Sequence, residues 1–431
     1  MKSLTVSMKL SRIVKQSKDN PDMVFTTLAH HMDVEFLREA YFSLKKDAAP
    51  GVDEVTHSDY ANDLGNNLKD LHERLKENRY RASPARRVWI DKDDGSKRGL
   101  GIPVLEDKIV QKAVALLLQS VYEPIFKDFS YGFRPKRSAH DALRSSRNAC
   151  FQQKINWIVD ADIKGFFDNI SHEYLLQILK EKVNDGALLR LIGKWLKAGV
   201  LDGGNFSSSD KGTPQGGVIS PLLANIYLHT ALDKWFDETV RSHIGGECFI
   251  VRFADDFVIG CQNKTDAEKI FRTLPKRFAK FGLEIHPEKS HMIQFSRPYW
   301  KNGSGTGTFD FLGFTHFWAK TMKGGWTIKR KTRRKSLSRF MSGMWEWCKK
   351  NRHADVPWQY TKLCQKLRGH YNYFAVRGNY KMLEVVYEYT MRSWRHWLSR
   401  RCSKGGMSWE KFEKRISKVF ALPIPRIKHD F

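Results

Sequence analysis

Two aspartates stand side by side in Arg252-Phe253-Ala254-Asp255-Asp256-Phe257-Val258, between the apolar runs CFIVRF (248–253) and FVIGC (257–261). The runs leave no room for a helix, so the pair falls at or beside the tip of a hairpin. An ordinary turn can hold Asp, but a purely structural tip favours Asn-Gly or Asp-Gly, which supply positive φ. Adjacent carboxylates repel and need a counter-charge, and a divalent cation is an economical supplier. A second acidic strand end lies in WIVDADIKGFFD (157–168), where Asp160 and Asp162 share one face by the two-residue period. A hard ion such as Mg²⁺ takes a few carboxylates together with phosphates and waters. Two such ions can activate a 3′-hydroxyl and stabilise departing pyrophosphate in an in-line displacement. Either cluster alone is weak; together, on strands, they suit nucleotidyl transfer.

Several elements must position these groups. Apolar, β-rich runs at 155–163, 248–253, 257–261 and 291–295 alternate with periodic helices such as LLANIYLHTALDKWF (222–236) and AEKIFRTLPKRFAKF (267–281). That mixture predicts an α+β core in which helices back an antiparallel sheet. Between the acidic strands runs KGTPQGGVISP (211–221), where Ser220 and Pro221 suit the cap and first turn of the helix that follows. Its glycines let backbone approach a ligand closely, and Gln215 offers both a donor and an acceptor. By itself this stretch is equally a plain loop with a helix cap. Before residue 80 the text is helical, with Leu64, Leu68, Leu71 and Leu75 at helical spacing; beyond about 330 it is helical again, without a convincing strand.

Charge narrows the partners. The 431 residues carry 74 Lys+Arg against 47 Asp+Glu, a net +27, which calls for a polyanion. Residues 319–431 hold 28 of the cations and 7 of the anions, so a near-neutral body precedes a strongly basic last quarter. No apolar run has the length of a signal peptide or a membrane-spanning helix. The cysteines, at 150, 248, 261, 348, 364 and 402, form no CxxC pair, which fits reduced thiols in the cytoplasm better than a disulfide framework or a zinc site.

The ordered blocks GVDEVT (51–56), WIDKDDGSKRGLGIP (89–103), YGFRPKRSAHDAL (131–143), WIVDADIKGFFD, GTPQGGVISPLLANIYL (212–228), RFADDFV, GLEIHPEKS (282–290), FLGF (311–314) and LRGHYNYF (367–374) resemble the reverse-transcriptase fold motif by motif. They look most like its group II intron-encoded maturase branch, over about residues 45–400. The resemblance implies a right-hand polymerase followed by an all-α thumb: a helical extension at 1–85, fingers and palm at 86–318, thumb at 319–384, and a basic nucleic-acid-binding end at 385–431. It implies that Asp162, Asp255 and Asp256, with the backbone of Ile163, hold two Mg²⁺ ions, while Asp160 and Asp168 are strand-end polar residues. Phe167 would sit under the incoming sugar and disfavour ribose. Lys92 and Arg98 would grip the triphosphate, Gln215 would contact nucleotide and template, and Lys289 would protonate pyrophosphate. Leu312 and Gly313 would grip the primer. RNA contacts are expected from Arg134, Lys136 and Arg137, and from Lys329, Arg330, Lys331, Arg333 and Arg334. One departure is Phe253, where the family usually has Tyr: the ring stays and a hydroxyl is lost.

The reading these features support is an intron-encoded, RNA-directed DNA polymerase that binds its intron RNA, aids splicing, and uses dNTPs on a DNA primer or target. A free-standing enzyme used in defence, CRISPR-linked acquisition or repair is the enzymatic alternative, and an RNA chaperone the non-enzymatic one. The late cysteines leave no CxxC knuckle, so no second-strand nuclease is expected.

Overall fold

The computed structural model describes residues 5–91, 97–202, 204–207, 211–212, 216–298, 306–401 and 406–431. The chain divides into two compact units, Met1–Ala142 with Val159–Met292, and Leu143–Ile158 with Ile293–Phe431. In chain order the strands are β1 (Ala85–Asp91), β2 (Lys97–Ile102), β3 (Trp157–Ala161), β4 (Val200–Asp202), β5 (Asn205–Ser207) and β6 (Cys248–Phe253), then β7 (Asp256–Cys261), β8 (His291–Gln294), β9 (Phe309–Phe311), β10 (Phe314–Lys320) and β11 (Trp326–Thr332).

The first unit begins with helices whose starts are sealed by short polar side chains. Asp33 accepts from the Phe36 amide at 2.9 Å ahead of Val34–Phe42, and Thr56 and Asp59 form a capping box at His57–Ala61. The leucine stripe is helical as spaced, over Leu64–Lys76, and buries Leu68 and Leu71. Of these, Val34–Phe42 packs on Leu105–Tyr122, whose Ile109, Val110, Val114, Leu117 and Leu118 are fully buried. A helix apolar around most of its girth belongs in a core.

Two sheets accompany them, one in the order β2-β1-β4-β5 and one in the order β6-β7-β3-β8. The first is mixed rather than purely antiparallel, because β1 pairs in parallel with β4 through Ala85↔Val200. The β6–β7 hairpin pairs from Cys248↔Cys261 to Phe253↔Asp256, and almost all of its residues are buried. Continuous apolar text is what a sheet covered on both faces requires. Helix Lys264–Ala279 backs this hairpin, with the rings of Phe257 and Phe278 stacked 6.1 Å apart. Helix Ser220–Leu228 starts at Ser220 itself, with Ile219 at the cap position, and continues into wide π turns over His229–Lys234 and Phe236–Val240.

In the second unit a sheet of order β11-β10-β9 accompanies helices Arg334–Lys350, Val356–Phe374 and Tyr380–Ser399. Met344, Leu363, Leu367, Leu383, Val386 and Trp394 make its apolar core. Two expectations fail here. The 319–384 segment is not all helix, because β10 ends at Lys320 and β11 occupies Trp326–Thr332. The basic text hid a two-residue alternation in which Ile328, Arg330 and Thr332 face inward. Helix Tyr380–Ser399 also runs straight through the expected boundary at 384/385, as its unbroken periodicity demands. Among the described residues, no helix is long and apolar enough to cross a membrane.

Candidate active site

The chain leaves β3 in an extended conformation that a second segment braces. The Asp162 amide donates to Ser290 Oγ at 3.1 Å, and its carbonyl accepts from the His286 amide at 2.8 Å. Ile163 bridges Ile285, and the Lys164 amide donates to the Glu284 carbonyl at 2.9 Å. The block GLEIHPEKS therefore serves as the rail along which Asp162 and the Ile163 backbone are held. Lys289, from the same block, places Nζ 3.7 Å from Asp162 Oδ2, with both side chains about half exposed. At Gly165 a left-handed φ of 53° turns the chain into the short helix Phe166–Asn169. Phe166 is buried there, and Phe167 packs edge-on against it at 5.3 Å while staying half-buried.

Asp255 and Asp256 do lie at a hairpin tip. Phe253 pairs with Asp256, so the loop is Ala254–Asp255 alone, with φ of 58° at Ala254. Side chains seldom accept that region, and here the surroundings enforce it. Arg252, fully buried, donates from Nη1 to the Ala254 carbonyl at 2.9 Å and to Asn225 Oδ1 at 3.0 Å. Its Nε and Nη2 bind the equally buried Asp233. Burial works against ionising Asp233, but the charge and hydrogen bonds of Arg252, with His229 nearby, overcome it and hold the carboxyl below its usual range. On the other side Gly132 abuts the turn: a Cβ there would lie 2.3 Å from the Ala254 nitrogen. Asn225 Nδ2 in turn donates to the Gly132 carbonyl at 2.7 Å. Arg252, Asp233, Asn225 and Gly132 were missed in the sequence, although a lone Arg inside CFIVRF signals a buried partner.

In the sheet, β3 runs beside β7, the strand that Asp256 begins. Among the described residues no three Cys, His, Asp or Glu side chains gather into a ready-made metal cage. The donors are nonetheless hard carboxylate oxygens at exposed or half-exposed positions, the set that suits Mg²⁺ completed by phosphate and water.

The loop before Ser220 is pinned on both sides. The Gly212 amide donates to the Ile170 carbonyl at 2.8 Å, and the Val218 amide donates to Gln111 Oε1 at 2.9 Å. Gly216, at φ 119°, passes so close to β2 that a Cβ would stand 2.7 Å from the Gly101 carbonyl oxygen. Lys92, Gln215 and the side chain of Arg98 lie outside the described residues. Leu312 and Gly313, in the second unit, form the two-residue loop between β9 and β10, with φ of 48° and 78°.

Two expected RNA contacts need correcting. Arg134 is buried, ion-paired to Glu123 at 2.8 Å and bound to the Lys127 and Ser130 carbonyls, so it clamps its own loop. Arg330 faces inward from β11 at 1% exposure and donates to the carbonyls of Phe431 and Leu143. Burial, with Arg147 and Arg144 nearby, pushes its pKa down to about 10. Neither guanidinium reaches solvent phosphate. Lys136, Lys331 and Arg334 are exposed, while Arg137 pairs with Asp128 at 2.7 Å. Lys329 and Arg333 are half-buried, and Arg333 Nε stands 4.0 Å from Asp310.

Residues 90–316 match the family of reverse transcriptases (RNA-dependent DNA polymerases). The group II intron-encoded protein LtrA of Lactococcus lactis subsp. cremoris is 41% identical over 231 residues, which are 52% of this chain and 38% of the relative. The protein YkfC of Escherichia coli is 35% identical over 256 residues, 52% of this chain and 67% of the relative. An uncharacterized 91 kDa protein in a cob intron of Schizosaccharomyces pombe is 36% identical over 314 residues, 69% of this chain and 37% of the relative. The chain thus spans well under half the length of two of these three relatives. With an acidic two-residue tip beside β3 and a family match covering more than half its residues, the chain belongs to the reverse-transcriptase family, in its group II intron-encoded branch.

Proposed function

We propose that the chain is an RNA-directed DNA polymerase encoded by a group II intron. In this reading it binds the intron RNA, assists its splicing, and copies it into DNA during retrohoming from a DNA primer. The observation that carries the reading is the Ala254–Asp255 tip, braced beside the strand that delivers Asp162, inside the reverse-transcriptase match. Fingers and palm then fall within 86–318, and the helices from Arg334 onward act as the thumb.

Asp162, Asp255 and Asp256, with the Ile163 carbonyl, would hold two Mg²⁺ ions. Bound there, the ions make the primer hydroxyl a better nucleophile and offset charge on the leaving pyrophosphate. The 3′-oxygen would attack the α-phosphorus of the dNTP, the bond to pyrophosphate would break, and Lys289, 3.7 Å from Asp162, would give pyrophosphate a proton. Phe167 would lie under the incoming sugar, where its ring would clash with a ribose 2′-hydroxyl. Lys92, Arg98 and Gln215 bind the triphosphate and base. Exposed cations, Lys331 and Arg334 among them, meet RNA phosphates, whose neutralisation makes affinity fall as salt rises.

Primer extension on an RNA template with Mg²⁺ tests this reading. Asp255→Asn should lower extension by about a hundred- to a thousandfold, the scale for losing electrostatic stabilisation at the reacting centre, while leaving RNA retention on filters unchanged. Equal extension by the variant removes Asp255 from the site.

A further inference from the structure

The loop between β9 and β10 is a two-residue turn in which both residues adopt positive φ, 48° at Leu312 and 78° at Gly313. Gly313 takes this conformation freely; Leu312 carries a Cβ and does not. Such a turn needs outside help to stay in one conformation. Both of its carbonyls receive it from the helical part of the same unit. The Arg333 amide, at the start of helix Arg334–Lys350, donates to the Gly313 carbonyl at 2.9 Å. The Tyr373 hydroxyl, on helix Val356–Phe374, donates to the Leu312 carbonyl, also at 2.9 Å. The Tyr373 ring stacks on Phe314 at 5.8 Å, and Phe374 packs on Phe314 at 5.1 Å and within contact of Gly313. The strained residue is thus fixed by one phenolic proton, delivered from a helix 61 residues further along the chain.

We propose that Tyr373 is a positioning residue for primer binding: its hydroxyl sets the orientation of the Leu312–Gly313 peptide, and so the surface this turn offers to the primer strand. The inference rests on the reading of that turn as the primer contact. It couples the turn to the helix bearing Tyr373, because any shift of that helix along its axis moves the hydrogen bond at the turn.

Tyr373→Phe removes the hydroxyl and keeps the ring on Phe314. In the full-length protein, primer extension should show KM for the primer–template duplex raised roughly two- to tenfold, the scale of one neutral hydrogen bond. KM for dNTP, and kcat at saturating primer–template, should stay within about twofold, and the melting temperature should hardly move if the bond's worth lies in orientation. A uniform loss in kcat and both KM values with a lowered melting temperature overturns the proposal, because it marks a merely structural tyrosine. Leu312→Ala separates the two layers of the argument. If it raises the primer KM while Tyr373→Phe does not, the turn binds primer and Tyr373 does not position it. If Leu312→Ala leaves the primer KM unchanged, the turn is no primer contact and the proposal falls with that reading.

Discussion

The β6–β7 and β9–β10 hairpins solve one conformational problem with different chemistry. Each closes on a two-residue loop whose first residue, Ala254 or Leu312, is a non-glycine at positive φ. Each fixes the carbonyl of that residue with a side-chain donor at 2.9 Å. At Ala254 the donor is a guanidinium; at Leu312 it is a phenol. The difference follows from what stands next door. Asp255 and Asp256 adjoin the first turn, where the proposed Mg²⁺ ions would sit and a stray positive charge would compete with them. Arg252 therefore arrives already neutralised by Asp233, so the pair supplies a donor without spending the negative field of the tip. Beside the second loop Asp310 and Arg333 already face each other at 4.0 Å, and a neutral hydroxyl holds the Leu312 carbonyl.

The largest test of this contrast is to delete the charged brace. Arg252→Met should cost about 3–5 kcal/mol of unfolding free energy, because it strands the Asp233 carboxylate in the core. Chemical denaturation measures it. Pairing the change with Asp233→Leu should recover most of that stability, since an apolar pair of similar volume is often neutral, yet extension should stay depressed because the Ala254 carbonyl remains unheld. Full recovery of extension would reduce the pair to packing.

Acid should separate the hairpins next. His316, cross-strand from Arg330 in β10, is fully buried, and desolvation with that guanidinium nearby lowers its pKa to about 3. His370 is lowered by burial to about 4. Both folded-state values lie below the unfolded value near 6.5, so the unfolded chain takes up protons first as pH falls. Their contribution is complete above about 6.5 and is lost progressively toward the folded values. Behind the other hairpin, on the helix that carries Asp233, burial also lowers His229, but protonating it sets a charge 3.7 Å from the Asp233 carboxylate. Asp233 itself is held below the usual carboxylate range, so its contribution survives until more acidic pH. Hydrogen-exchange mass spectrometry between pH 7 and 5 should find β9–β10 amides losing protection before those of β6–β7. The reverse order breaks the comparison.

Glycine makes the smallest difference. Ala254→Gly and Leu312→Gly each relieve a left-handed side chain, so each should change stability by no more than about 1 kcal/mol, on the stabilising side. Thermal melts resolve this, and a larger loss at either position would mean that the side chain, not the turn, is being held.

The two hairpins also mark how far the sequence could be read. The acidic tip was legible because two apolar runs flank adjacent carboxylates and leave only a turn between them. The FLGF turn was legible through family resemblance alone, since nothing in Leu312-Gly313 hints at function. Neither brace was legible in detail: Asp233 and Tyr373 reach their targets from 19 and 61 residues away, on helices whose periodicity announces burial but not partner. Arg330 misled for a different reason. In KRKTRRK net charge dominates the eye, while the two-residue period that turns Arg330 inward and Lys331 outward shows only once the segment is known to be a strand.

Gly132 carries a consequence for how freely the acidic tip can fluctuate. Residues 129–131 run alongside the end of β6, with the Tyr131 amide on the Arg252 carbonyl at 2.8 Å and the Arg252 amide on the Phe129 carbonyl at 2.9 Å. Backbone then meets backbone at Gly132 and Ala254, with no side chain between them to act as a cushion. Soft contacts absorb small motions; hard ones pass them on. The stretch 129–132 and the acidic tip are therefore joined by hard backbone contact, so a displacement of either passes directly to the other.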